Sequence, residues 1–439
     1  MQAININYLE EKFEELQAAE SGSKLKSLRE QGFEQFSREG LPTIKNEEWK
    51  YTSISELFKK EYHLPQAIAT HTITTAEIES VRLPGAAEAN ELFFINGKFD
   101  ASLSVIRSGA DELTVLDMEE ADATGYHDLI DEHLNKSSQF IKDGLHALNT
   151  SFIKGSVFVK VTKNKSLKHP LYVYHLTDTK ENHTLAQPRS LVYVEENARV
   201  QVVETAATFG SMDSLTNEVI EIVVNENAQV EYYKIQNDVS QASHVGTTHI
   251  RQVGKSYVHT VTISLSGGTI RNNIDIIMEK EGNEAHMYGL YLLNGRTHVD
   301  NHTLVDNTKP NCFSNELYKG IIDDYATGVF SGKIYVRPDA QKTNAYQSNK
   351  NILLSETGTV NTKPQLEIFA DDVKCSHGCT VGQLDAEALY YLRSRGISKT
   401  NARAMLLQAF AGDVVNQIRI ETIKEYVEEL IEERLSVQM

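Results

Sequence analysis

Apolar residues recur at helical spacing near both ends of the chain and at strand spacing through its middle. Tyr8, Leu9, Phe13 and Leu16 fall on one helical face, as do Leu25, Leu28, Phe33 and Phe36. Gly22 separates these two helices, and Gly40-Leu41-Pro42 closes the second. From Glu91 to Phe99 the pattern gives two short strands around Asn96-Gly97, a dipeptide suited to the tight turn of a hairpin. Tyr126 to Leu148 is expected to be helix. From about residue 155 to about 370, short runs rich in Val, Ile, Tyr and Thr alternate with turns, and no helix is expected. Helical periodicity then returns. Leu384 to Arg395 forms a helix stopped by Gly396. A second starts at the capping Ser398 and runs through Phe410, with an interruption expected near Gly412. A last helix carries Val415, Ile418, Ile423, Val427, Leu430, Ile431 and Leu435 on one face and Glu425, Glu428, Glu429, Glu432 and Glu433 on the other. Its apolar stripe serves either core packing or the docking of a partner.

The strand region repeats itself. Sliding Val192–Glu204 by 30 residues places it on Ile222–Lys234, with five of 13 positions identical: Val194/Val224, Glu196/Glu226, Asn197/Asn227, Ala198/Ala228 and Val200/Val230. The same theme, a small residue followed two positions on by an apolar one, returns at Ser256/Val258 and Ala285/Met287. Small residues continue at Cys312 and Ala340. A period of 27 to 30 residues built from strands and turns describes a stacked coil, each turn burying its apolar face on the next. A parallel β-helix is the expected architecture and an antiparallel sandwich the alternative. Without long crossover helices, a doubly wound sheet is excluded. The chain divides into an N-terminal helical and mixed region (1–150), a β-helix core (151–380) and a C-terminal helical domain (381–439).

Composition bears on function more than on fold. The 439 residues hold 43 Lys and Arg against 61 Asp and Glu, a formal net charge of −18. Such an acidic balance argues against nucleic-acid binding and against a basic membrane-surface protein. The three cysteines, Cys312, Cys375 and Cys379, cannot build a disulfide framework of the secreted kind. No signal peptide and no membrane span is read in the chain. The expectation is a soluble, cytoplasmic protein.

Candidate chemistry concentrates in Asp371-Asp-Val-Lys-Cys-Ser-His-Gly-Cys379. On a strand, Cys375, His377 and Cys379 share a face with Val373 and Val381, while Lys374, Ser376 and Thr380 point the other way. Thiolates beside an imidazole suit zinc, copper(I) or iron–sulfur chemistry. Same-face strand residues lie roughly 6–7 Å apart, which is poor for a closed tetrahedral zinc site. A cluster, or a site shared across an interface, fits better. The plain alternative is that two small cysteines and a hydrogen-bonded histidine pack between valines. Other signals are weaker. Gly328–Ile334 resembles a phosphate loop but is one residue short and lacks the hydroxyl that would hold magnesium. Asp323-Asp324 and Asp371-Asp372 suit turns, and His298, His302 and the other histidines have no ligand spacing.

Lys363–Gly382 and the following Leu389–Ile397 closely resemble the SufB/SufD family of iron–sulfur cluster assembly proteins, in the wording of its SufD branch; the SufB branch is the runner-up. Glu48-Trp-Lys-Tyr-Thr52 and Leu317-Tyr-Lys-Gly320 support the match. The resemblance implies a right-handed parallel β-helix between helical ends and an assembly scaffold without ATPase activity or turnover of its own. It implies edge-to-edge pairing with a SufB-like chain, or with a second copy, and a SufC-like ATPase held on the C-terminal helices. There the stripe Ala402, Met405, Leu406, Ala409 and Phe410, beside Lys399 and Arg403, has the spacing of a helix that docks in a groove. His377 would lie at the subunit interface, where a transient iron–sulfur cluster forms with sulfur from a cysteine-desulfurase system. Cys375 and Cys379 are candidates for cluster assembly beside His377, with Cys379 standing where the family usually has Ala and plain packing as its alternative role. Reduced flavin is associated with such complexes, although this chain carries no flavin fingerprint. The alternatives are a carbohydrate-active β-helix enzyme and a purely structural subunit.

Overall fold

The computed structural model describes residues 6–19, 22, 23, 25–65 and 72–437. Helices α1 (Asn7–Ala19), α2 (Lys26–Glu39) and α3 (Thr75–Ser80) lead into strands β1 (Asn90–Ile95), β2 (Lys98–Val105) and β3 (Leu113–Asp117). Helices α4 (Met118–Ala123), α5 (His127–His133) and α6 (Gly144–Ser151) follow. The long strand region comprises β4 (Val157–Val161), β5 (Leu171–Thr179), β6 (Thr184–Ala186), β7 (Arg189–Val194), β8 (Arg199–Gly210), β9 (Ser214–Val224), β10 (Gln229–Asn237) and β11 (Ala242–Gln252). It continues with β12 (Tyr257–Ser266), β13 (Thr269–Met278), β14 (Glu284–Leu293), β15 (His298–Asn307), β16 (Phe313–Ile322), β17 (Thr327–Val336), β18 (Asn344–Leu353), β19 (Thr359–Ile368) and β20 (Lys374–Gly382). Helices α7 (Ala386–Ser394), α8 (Lys399–Val415) and α9 (Glu421–Val437) close the chain.

From β7 onward, consecutive strands alternate between two sheets and every pairing is parallel. This is the expected parallel β-solenoid. One sheet runs β2-β1-β5-β8-β10-β12-β14-β16-β18-β20, and its partner runs from β3 to β19. The sheets therefore draw in β1, β2 and β3 from before residue 151. Register partners Val200, Val230, Val258, Ala285, Ser314, Ala345 and Cys375 stand 27 to 31 residues apart in sequence.

The repeated Glu-Asn-Ala is the turn that makes this stacking possible. Asn197 and Asn227 adopt the left-handed conformation (φ 58° and 55°), which asparagine tolerates better than most residues. The alanine that follows tucks its methyl inside, and its carbonyl accepts from the next coil: Gln229 N donates to Ala198 O at 2.9 Å and Tyr257 N to Ala228 O at 3.0 Å. The file continues through Ser256, Asn283, Cys312 and Thr343. Two expected members fall outside it. Ala285 sits two residues further on, paired with Val258 and Ser314. Ala340 lies in the turn, its carbonyl taking the Thr343 hydroxyl at 2.8 Å. Ladder hydrogen bonds hold the strand register, so the turns absorb most differences in coil length, with one register shift within the β10–β12 pair at Gln236/Asn237.

Other local expectations divide by how far tertiary contacts intervene. The Asn96-Gly97 hairpin forms, with both residues at positive φ (51° and 81°) as a type I′ turn requires. No helix interrupts 155–370. Tyr126–Leu148 is not one helix but α5, a single 3₁₀ turn and α6. The break at Asn135 delivers the Asn135 and Ser137 amides to the buried Glu221 carboxylate at 2.7 and 2.8 Å. Gly412 does not interrupt α8, because Ala411, Val414 and Val415 on either side of it are buried against one cluster.

Both outer faces of the solenoid are covered. Leu9, Leu16 and Phe36 of the N-terminal helices pack with Leu148, Leu185, Leu215 and Val245. On the other sheet, Ile423, Val427, Ile431 and Leu435 of α9 bury against Tyr233, Val261, Ile263 and Leu290. The α9 stripe is thus core packing. The N-terminal region is also pinned electrostatically. Arg271 of β13 lies 3.9 Å from the Trp49 ring centre and pairs with the buried Asp300 at 2.7 Å. Thr52 donates to the same carboxylate at 2.5 Å, and His302 bridges Asp300 (3.0 Å) to Glu48 (3.5 Å). The His302 hydrogen bond holds Glu48 down at about 2. Burial would raise Asp300, but His302 and Arg271 outweigh it and keep it well below the carboxylate range.

Two predictions follow from these contacts. A Cβ on Gly289 would stand 2.1 Å from the Tyr318 ring, so Gly289→Ala is expected to destabilise the solenoid by about 1–3 kcal/mol, measured as a lower urea midpoint. Both carboxyls of the clamp have folded-state pKa values below their unfolded ones. Their contribution is therefore complete above about pH 4 and is lost as pH falls further. Trp49, the only tryptophan in the chain, should report a wetter environment on acidification below about pH 4. Asp300→Asn should loosen Trp49 already at neutral pH, and unchanged Trp49 emission in that variant would contradict the clamp.

Candidate functional site

A parallel strand needs a neighbour on each side to use all its backbone groups. Strands β19 and β20 are the last of their sheets and have a neighbour on one side only. The candidate cluster lies on β20. Cys375 pairs in register with Ala345, His377 with Gln347 and Cys379 with Asn349, and these three partners face the solenoid interior. The shared face expected from the spacing is thus the inner face of the final coil. No coil follows, so Ser376 to Gly382 are exposed and Cys375 alone is half-buried, against Val373, Ala345 and Ala340. Burial pushes the Cys375 thiol up, away from the thiolate form that ligates metals. His377 and Cys379 stand open to solvent. Ile368, Phe369 and Val381 form an exposed apolar rim at the same end.

The expected docking stripe on α8 is divided by the packing. Ala402 is fully buried, Leu406 and Phe410 are half-buried, and Met405 and Ala409 are exposed. Phe410 packs under Lys319, whose ammonium stands 4.2 Å from its ring centre and 2.8 Å from its carbonyl oxygen. Helix α7, capped by Asp385, buries none of its residues, and Tyr390 and Tyr391 are 76% and 56% exposed. The accessible apolar surface of this hairpin is therefore Tyr390, Tyr391, Met405 and Ala409.

A second group of titratable residues, hidden to sequence inspection, lies inside the solenoid. His175, Glu204 and Glu218 bring ligand atoms within 4.8 Å of one another. Lys234 Nζ stands 2.7 Å from both carboxylates, where a bound cation would sit. Burial and the neighbouring Glu218 hold Glu204 above the ordinary range, so it keeps its proton. Burial would also raise Glu218, but the Lys234 ammonium outweighs it and holds Glu218 ionised. Burial lowers His175, to about 4, and His244, leaving both neutral. The group is balanced by its own lysine and is not an open metal site. The signal was a lysine at an inward strand position, which only the strand register reveals.

The remaining motifs resolve into structure. Gly328–Ile334 lies within β17, with Gly332 facing inward where Gln347 fills the space a Cβ would need; it is no phosphate loop. Asp323 and Asp324 form a turn, and His298 and His302 are held by Thr52 and Asp300. No described strand runs through a glycine-rich turn into a helix, so the residues do not fit a dinucleotide-type flavin site. No helix among the described residues is long and apolar enough to cross a membrane.

Comparison with known proteins agrees with this geometry. Residues 175–410 match the family model described as SUF system FeS cluster assembly, SufBD core domain, and residues 4–173 match the SufBD protein N-terminal region. An iron-sulfur cluster assembly SufBD family protein of Synechocystis is 34% identical over 392 residues, covering 88% of this chain and 85% of that protein. The iron-sulfur cluster assembly protein SufD of Escherichia coli is 28% identical, with 94% of each chain covered. Its namesake in Bacillus subtilis is 27% identical at the same coverage. Nothing in the geometry or the comparisons favours a carbohydrate-active enzyme. With a parallel solenoid, an exposed Cys-Ser-His-Gly strand at its open end and both family regions matched, the chain belongs to the SufBD family of iron–sulfur cluster assembly proteins.

Proposed function

We propose that this chain is a scaffold subunit, without turnover of its own, on which a nascent iron–sulfur cluster is built as cargo. The observation that carries the reading is the unfinished end of the solenoid, where β20 offers unpaired backbone groups and the His377 face together. A SufB-like chain, or a second copy, completes the sheets by strand addition. Its thiolate and the His377 imidazole then flank the growing cluster. An imidazole can ligate iron in its neutral form, whereas the half-buried Cys375 would first have to lose a proton. The exposed apolar surface of α7 and α8 receives a SufC-like ATPase. A cysteine-desulfurase system supplies sulfur through the partner, and the reactions take place in the cytoplasm.

Co-expression with SufB-like and SufC-like chains tests the reading. His377→Ala is expected to leave assembly intact and lower cluster yield by roughly tenfold or more. Cys379→Ala should be nearly silent and Cys375→Ala intermediate, measured as iron and sulfide per complex. Full yield from His377→Ala would reduce this face to packing and favour a purely structural subunit.

Docking of the ATPase is tested separately. Met405→Asp, together with Tyr391→Ser, is expected to abolish retention of the SufC-like chain while the urea midpoint of the solenoid is unchanged. Retention at the level of the unmodified chain would place the ATPase elsewhere.

A further inference from the structure

The row that ends at His377 continues inward as Gln347 on β18 and Glu316 on β16, in register. Gln347 Nε2 donates to Glu316 Oε2 at 2.7 Å. Glu316 is buried, and its other carboxyl oxygen has no partner, nor has Gln347 Oε1. Met287 of β14 flanks it on one side, Gln347 on the other, and Thr303 of β15 lies across the interior. The titratable group that senses it is the phenol of Tyr318 on its own strand, kept neutral by burial and in turn near Tyr291 of β14, which is also neutral. Among the described residues no Lys, Arg or His pairs with it, in contrast to Glu204 and Glu218 on Lys234. A carboxylate here would be an unpaired charge in a desolvated interior, so the group retains its proton near neutrality. Burial raises it to about 7, with the nearby Thr303 hydroxyl and the Gln347 hydrogen bond opposing.

We propose that Glu316 is the charge-compensating acid of the open end: neutral in the free chain, it gives up its proton when a divalent cation is held on the His377 face. This rests on the scaffold reading of that face. The step breaks the carboxyl O–H bond, leaves the electron pair on Glu316 and passes the proton to solvent along the polar rows that open at β20; no oxidation occurs. Glu316 and His377 are two strand spacings apart, about 10 Å. A divalent charge at that distance, at an effective dielectric constant of about 20, favours ionisation by on the order of a hundredfold. Cation uptake therefore strengthens as pH rises through neutrality, because the free chain must lose a proton to bind.

The full chain titrated with Co²⁺ tests this. Affinity is measured between about pH 6 and 8, and protons released per Co²⁺ are counted at about pH 6. The unmodified chain should release up to one proton more than Glu316→Gln and show the steeper pH dependence. In the unmodified chain, the infrared carbonyl band that Glu316→Gln lacks should vanish on Co²⁺ binding, while the band of the protonated Glu204 stays. Equal proton release and equal slopes, or persistence of the band absent from Glu316→Gln, would overturn the role of Glu316. If His377→Ala binds Co²⁺ as tightly as the unmodified chain, the reading of the face itself fails, and the proposal with it.

Discussion

Each coil of a parallel solenoid completes the hydrogen bonding of the coil before it, and the last coil has none to complete its own. That constraint organises this molecule. The N-terminal helices cover the outer face of one sheet and α9 covers the other, so neither face is left as a broad apolar surface. What remains is an end at which β19 and β20 have open edges and the inner rows meet solvent. Natural proteins blunt such edges when they serve no purpose. Here the edge carries Cys375, His377 and Cys379 beside an exposed apolar rim of Ile368, Phe369 and Val381, features that suit completion by another chain.

The interior of the solenoid handles buried charge in two ways. Deep inside, Lys234 between Glu204 and Glu218 forms a closed group whose charges cancel. Breaking such a group by removing one member costs about 3–5 kcal/mol, because the charge left behind is buried and unpaired. Nearer the open end, Glu316 has the Gln347 amide as a partner but no cation. A carboxyl in that setting is sensitive to charge placed close by, and the closest place for it is the face of β20. The same polar rows that weaken the core make its end responsive.

Much of this was legible in the sequence because it is local. Asn96-Gly97 encodes its own turn, and the repeated Glu-Asn-Ala encodes a left-handed corner with an inward methyl. Alternation on β20 gave the shared face of Cys375, His377 and Cys379. What could not be read depends on contacts between distant residues. Ala285 and Ala340 looked like members of the small-residue file but are displaced by turns of different length. Gly412 looked like a helix end until its neighbours found partners on the solenoid. The stripe on α8 looked continuous, yet Ala402 packs inward and Met405 faces out. The pairing of Lys234 with Glu204 and Glu218, and the row from Glu316 to His377, depend on a register set by residues about thirty positions apart.

The central claim is that the final coil is an interface awaiting a partner. Hydrogen exchange of the β19 and β20 amides, measured for the chain alone and within the assembled complex with SufB-like and SufC-like chains, tests it most directly. The account predicts that amides of β19 and β20 facing the open side exchange rapidly in the isolated chain and become strongly protected in the complex, while those of α1 and α2 are unchanged. Equal exchange at β19 and β20 in both states, with protection gained on another surface, would contradict it.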